Sequence, residues 1–161
     1  KLPEVLKAAY AHQGAAFVEI FQNCIVYNDD VFAPFTDKKA GADLNQLWVE
    51  HGQPLVFAGG TKGLALDTER LVLKVVDVVD GDVSGVVVHD QTNRGLAHML
   101  VEMPFGAFPM ALGVLYDDPA PTFESAVVAQ NAAASEGKKP DLQALLGKGQ
   151  TWMVDKEPRS E

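Results

Sequence analysis

The 161-residue chain contains one cysteine, Cys24. A single thiol excludes an internal disulfide, and it excludes a cysteine-rich metal site built by this chain alone. Positive charge is also scarce: 13 Lys and Arg stand against 22 Asp and Glu, for a net charge of -9. Nucleic acid and anionic membrane surfaces both require clustered cations, so neither is expected as a partner. No apolar run approaches the ~18 residues of a membrane-crossing helix. The opening "KLPEVLKAAYAHQG" mixes charge with helical spacing and carries no signal-peptide pattern. Several catalytic signatures are missing as well. None of His12, His51, His89 and His98 has the i, i+4 partnering that marks a zinc helix, and there is no Gly-x-Ser-x-Gly elbow. The stretch "GGTKG" (Gly59 to Gly63) lacks the Gly-Lys-Ser/Thr ending of a phosphate loop and reads as a hairpin turn. No internal repeat and no low-complexity tract is visible.

What is present is an ordinary apolar pattern, long enough for a globular domain with a core. Leu2, Val5, Leu6, Ala9 and Tyr10 share a helical face up to His12, with Gly14 as a stop. Ala15 to Phe21 reads as an apolar strand of the kind buried in a parallel sheet. Asn23 to Phe35 is a loop rich in Asn and Asp. Beyond it, Gln46–Val49, Leu55–Ala58, Leu64–Leu66, Leu71–Val79, Gly85–His89 and Leu112–Tyr116 read as strands, and Arg94–Met103 as a helix. The links between Gln46 and Leu73 are too short for helical crossovers, so these strands are expected to pair in a partly antiparallel sheet. Thr122 is placed to cap a helix that ends at Gly137, Leu142–Leu146 forms a short helix, and the charged tail after Trp152 is expected to fray. The fold class is therefore α/β, with residues 1–35 as the end of a parallel-sheet domain and 36–161 as a mixed α+β region. The chain opens without Met inside a helical pattern, and we expect it to be part of a longer polypeptide.

Few residues offer chemistry. His89-Asp90 follows an apolar strand, a place where α/β enzymes carry working groups and where a polar strand end also caps a turn. His51 lies in the turn "HGQP" and is expected to make a local hydrogen bond. The pairs Asp29-Asp30 and Asp117-Asp118 have the composition of cation ligands and of solvated turns. Cys24 is either a small buried hydrophobe or a thiolate at a sheet edge among polar residues, where a soft metal would find one ligand. A cysteine nucleophile would need His12 or His51 beside it in space.

Four blocks carry a family resemblance. "HQGAAFVEIFQNCIVYND" resembles the region of the beta subunit of 2-oxoacid:ferredoxin oxidoreductases that reads close to "H-x-G-T-x-F-V-E-x-x-Q-N-C-P-x-F-N-D". "HGQPLVF" with "KGLALD", then "VVVHDQTN", then "PFGAFPMALGVLY" with "PTFE", resemble later blocks in the same order, over about Ala11 to Glu124. Subunits of the 2-oxoglutarate type match best. Ile25 stands where the family often has Pro, and Asp30 where Gly is common.

The resemblance implies a thiamine diphosphate-binding fold and oxidative decarboxylation of a 2-oxoacid, with electrons passing through a [4Fe-4S] cluster to ferredoxin and the acyl group to coenzyme A. It implies thiamine diphosphate, Mg²⁺ and the cluster as cofactors. The implied partners are the N-terminal part of the same subunit, the alpha subunit, ferredoxin, coenzyme A and the oxoacid, in the cytoplasm. It makes Cys24 a cluster ligand, with the other cysteines elsewhere and the amides of Gln22, Asn23 and Asn28 as candidate hydrogen-bond donors around it. The thiamine diphosphate signature "G-D-G" is not in these residues, so no catalytic residue is assigned and the chain alone is expected to be inactive. The competing reading is a non-catalytic α/β binding or assembly module in which Cys24 is a core thiol.

Overall fold

The computed structural model describes residues 1–152 and 154. The chain divides into two compact units, Lys1–Pro121 and Thr122–Glu161. The first contains α1 (Leu2–Ala11), α2 (Ala33–Thr36), α3 (Ala42–Asn45), β1 (Gln46–Val49), β2 (Val56–Phe57), β3 (Lys62–Asp67), β4 (Val72–Asp77), α4 (Arg94–Val101) and β5 (Met110–Gly113). The second contains α5 (Phe123–Ser135) and α6 (Leu142–Gly147). The expected frayed tail falls largely outside the described residues.

The class is mixed α/β, as the sequence pattern indicates. β1 and β5 form a parallel pair, with Gln46 opposite Met110 and Val49 opposite Gly113. β2, β3 and β4 form an antiparallel sheet in that order, as the short links between them require. Alternation decides the buried faces: Leu47 and Val49 of β1 point inward, and so does Leu73 of β4. They meet Leu55, Phe57, Leu64 and Val86, while α4 adds Leu96 and Leu100, four apart on one helical face. The Asn93 side chain caps α4 by accepting the Leu96 N–H at 3.0 Å.

Gly113 ends β5 because no other residue fits there. Its φ is +124°, and a Cβ on it would lie 2.7 Å from the Val49 carbonyl oxygen. The strand expected over Leu112–Tyr116 therefore stops at Gly113 and starts earlier, at Met110.

Two strand expectations are corrected. Ala15–Phe21 is not a strand: no ladder pairs with it among the described residues, Phe17 is 89% exposed and Ile20 56%. A strand exists only beside a neighbour, and nothing in the described chain lies alongside this one. Gly85–His89 does not form a regular strand either. Its Val87 N–H donates to Leu64 O, its Val87 carbonyl accepts from Leu55 N and its His89 N–H donates to Gln53 O, each at 2.8 Å, but the pairing stays at one Pro54–Val88 bridge and forms no extended ladder among the described residues. The parallel pair seen among the described residues, β1 with β5, lies within 36–161.

In the second unit the Thr122 hydroxyl oxygen accepts the Ser125 N–H at 3.2 Å and so caps α5 as its sequence suggests. The Asp141 carboxylate does the same for α6 through Ala144 N at 2.9 Å. Neither helix buries a residue. No helix among the described residues is long and apolar enough to cross a membrane.

Candidate functional site

Cys24 is exposed and lies in a tight turn, paired with Asn28 by a single antiparallel bridge. The Asn28 N–H donates to the Cys24 carbonyl at 3.0 Å. The Cys24 thiol is held below the ordinary thiol range, chiefly by the backbone N–H groups of Tyr27 and Val26, with desolvation opposing and the Asn28 N–H adding least. Of the side-chain amides expected there, that of Asn23 donates instead to the Asp29 carboxylate. Asp29 also accepts its neighbour's N–H at 3.0 Å, so this acidic pair shapes a turn. Being exposed, Cys24 is not the core thiol of the competing reading.

The histidines are engaged elsewhere. His12, following α1, donates from Nδ1 to Asp117 Oδ1 at 2.6 Å. The other Asp117 oxygen accepts from the Gln91 amide at 3.3 Å, and the Asp117 N–H donates to Gln91 O at 2.7 Å. His51 accepts the Gln91 N–H on Nδ1 at 3.2 Å and lies 3.7 Å from Asp90, so its bond is long-range rather than local. Asp90 caps its turn: Oδ1 accepts the Thr92 N–H at 2.9 Å and the Thr92 hydroxyl at 2.8 Å. Those bonds hold the Asp90 carboxyl below the usual carboxylate range, with smaller help from His51 and His89. Neither His12 nor His51 bonds the Cys24 sulfur, so the structure does not assemble a cysteine–histidine nucleophile among the described residues.

His89 is 1% exposed. Its Nε2 donates to Val114 O at 2.9 Å, which leaves Nδ1 buried and without a partner among the described residues. It joins the 85–89 segment to the run-out of β5. Sequence reasoning placed it at a polar strand end and missed its burial. It also missed the roles of Asp117 and Asp118, which were read as loop acids. Asp117 holds His12, and Asp118 accepts the Tyr116 hydroxyl at 3.1 Å. No signal in the sequence joins His12 to a residue so far along the chain. Among the described residues no group of three or more His, Cys, Asp or Glu side chains is placed to hold a metal ion. Cys24 is thus at most one ligand of a centre completed by other residues.

No family model and no solved structure matches the chain. It is 34% identical over 169 aligned positions to the 2-oxoglutarate oxidoreductase subunit KorB of Mycobacterium tuberculosis (strain ATCC 25618 / H37Rv). That alignment takes in 96% of this chain and 42% of the relative, so the chain spans less than half of the relative's length. Over nearly its whole length the chain is thus similar to part of a 2-oxoglutarate oxidoreductase subunit.

Proposed function

We propose that this chain is part of the beta subunit of a 2-oxoacid:ferredoxin oxidoreductase, of the 2-oxoglutarate type, and that Cys24 is a ligand of its [4Fe-4S] cluster. The relative's name supports the substrate class, and its designation as a subunit supports assembly with further chains, an alpha subunit and ferredoxin among them. In such a complex thiamine diphosphate with Mg²⁺ would supply the decarboxylation chemistry and the cluster would carry electrons to ferredoxin, with the acyl group passing to coenzyme A. We assign residues 1–35 to the thiamine diphosphate-binding domain, the later residues to the subunit's C-terminal region, and the assembly to the cytoplasm. Alone, this chain would be inactive.

The observation that carries the reading is the environment of the Cys24 sulfur. An iron–sulfur ligand must be a thiolate, and its cluster is tuned by N–H groups directed at sulfur. The Cys24 turn suits such a ligand: the thiol is exposed, and the Tyr27 and Val26 backbone N–H groups lower it from the ordinary thiol range, which favours the charged form. The exposed apolar side chains of Ile25, Val26 and Tyr27 at the tip of the turn suit the dry surroundings that such a centre needs once the remaining ligands are in place. The role of this chain's residues is to hold and tune the cluster, not to carry out the carbon chemistry.

The test is Cys24→Ser in the assembled, full-length complex, with the cluster read by visible absorption and by electron paramagnetic resonance after reduction. Loss or conversion of the cluster signal is expected, together with loss of electron transfer to ferredoxin. An unchanged signal would refute the assignment of Cys24.

A further inference from the structure

Between the β2–β3 turn and the turn that precedes β5 lies a cavity of about 340 Å³. That volume is within the range of small-ligand sites. Its wall is largely apolar: Phe57 and Pro109 are buried, and Val75 and Phe108 are half-buried. One charged side chain, that of Lys62, lines it, and no carboxylate does. In a chain of net charge -9 this is a local reversal of sign.

The β-ladder explains how a lysine comes to be there. Lys62 and Leu64 share one face of β3, and Val75 of β4 stands opposite Leu64 on that face. It is the face that covers the core, so the Lys62 side chain leaves the sheet on its apolar side, at the end of the strand. Asp77 is its cross-strand partner, yet no ion pair joins the two among the described residues. The turn that carries Lys62 is fixed: the Thr61 hydroxyl donates to Ala58 O at 2.7 Å, and Thr61 O accepts the Val78 N–H at 2.8 Å. In the facing turn, the Ala107 N–H lines the same cavity and donates to no group among the described residues.

We propose that this cavity binds a small organic acid that carries one anionic group on an apolar body. The anion, a carboxylate or a phosphate, bonds to Lys62 and to the Ala107 N–H. The body lies against Phe57, Val75 and Phe108. Charge-assisted bonds of this kind are the strong ones, and the apolar wall gains by shedding water. A cation would meet the lysine unpaired. A dicarboxylate such as 2-oxoglutarate would press its second charge against the apolar wall, so this is not the site of an oxoacid substrate. None of the lining residues belongs to the Cys24 turn, so the inference stands or falls apart from the cluster assignment.

The experiment titrates the full-length subunit, in its assembled complex, with phenylacetate, phenyl phosphate and the neutral benzyl alcohol, followed by saturation-transfer magnetic resonance. At least one acid is expected to bind with a Kd of about 1 mM or below, and the alcohol about tenfold more weakly. The better of the two acids identifies the anionic group. Lys62→Met keeps the stem and removes the charge, and it should weaken the acid about tenfold while leaving the alcohol unchanged. Leu44→Trp, at a 58% exposed position on the cavity lining, should block all three. Acid and alcohol binding equally, acid binding indifferent to Lys62→Met, or neither acid binding at millimolar concentration would each overturn the proposal. If Lys62→Met does not assemble, the acid-to-alcohol ratio of the wild type and the loss of binding in Leu44→Trp decide.

Discussion

Replacing Gly113 with alanine should destabilise the fold by about 3 kcal/mol. Two costs combine. Gly113 has φ +124°, a region that side chains with a Cβ rarely enter, at a cost of order 1–3 kcal/mol. The added methyl would lie 2.7 Å from the Val49 carbonyl oxygen and 3.2 Å from Val49 Cγ2. The obstacle includes a main-chain oxygen of the paired strand, so it does not yield as a flexible side-chain end would. Relief requires β1 and β5 to separate at the Val49–Gly113 position, and overpacking of this kind typically costs a further ~1–3 kcal/mol. Denaturant unfolding followed by circular dichroism measures the sum, read as a lower midpoint at unchanged slope. Gly52→Ala is the control: φ is +76° there, and nothing lies within 4 Å of the added methyl. It should cost about 1 kcal/mol, the conformational part alone. A Gly113→Ala protein no less stable than Gly52→Ala would refute the claim that close approach of the two strands, rather than glycine's freedom, makes this residue necessary.

Three further outcomes follow from the same geometry. Leu64, fully buried between Leu55 and Val87, should cost about 2–5 kcal/mol when truncated to alanine, measured by the same unfolding curves. The Cys24 thiol should react with iodoacetamide with a midpoint below the ordinary thiol value of about 8.5, and the midpoint should rise in denaturant as the Tyr27 and Val26 N–H groups leave the sulfur. The Asp90 carboxyl is lowered by its Thr92 bonds, so its contribution to stability is present above the unfolded carboxyl value of about 3.9 and is lost as pH falls through the folded value. Asp90→Asn should therefore flatten the acid limb of the stability profile below about pH 4. An acid limb of unchanged slope would remove Asp90 from that account.

Local signals were the legible ones. β1 was readable to the residue, because its alternation of buried Leu47 and Val49 with Trp48 is bounded by polar residues and a glycine turn. The Thr122 cap and the antiparallel pairing of β2, β3 and β4 follow from equally local chemistry. The β1–β5 pairing did not, since nothing in "QLWV" specifies "MALG" as its neighbour. Ala15–Phe21 has the composition of a buried strand, yet composition reports a preference for a pleated, covered surface and does not supply the cover. At the candidate site, the position of Cys24 in its loop was visible in the sequence. The N–H groups around its sulfur were not, because they depend on backbone angles and not on residue type. The burial of His89 was hidden for a related reason: it depends on Val114 arriving from β5.

The β1–β5 pair has a kinetic consequence. Its partners are separated by about sixty residues, so joining them closes a long loop at an entropic cost of order 4 kcal/mol. The β3–β4 hairpin, by contrast, needs only the short turn between Asp67 and Val72. Hairpin contacts should therefore be made early on the folding route and the parallel pair late. Substitutions in β5, Gly113→Ala among them, should then mainly accelerate unfolding and leave the folding rate nearly unchanged. Residence time in the native state would be governed by that last seam, and the lifetime of the folded chain should be lengthened most by changes that tighten it.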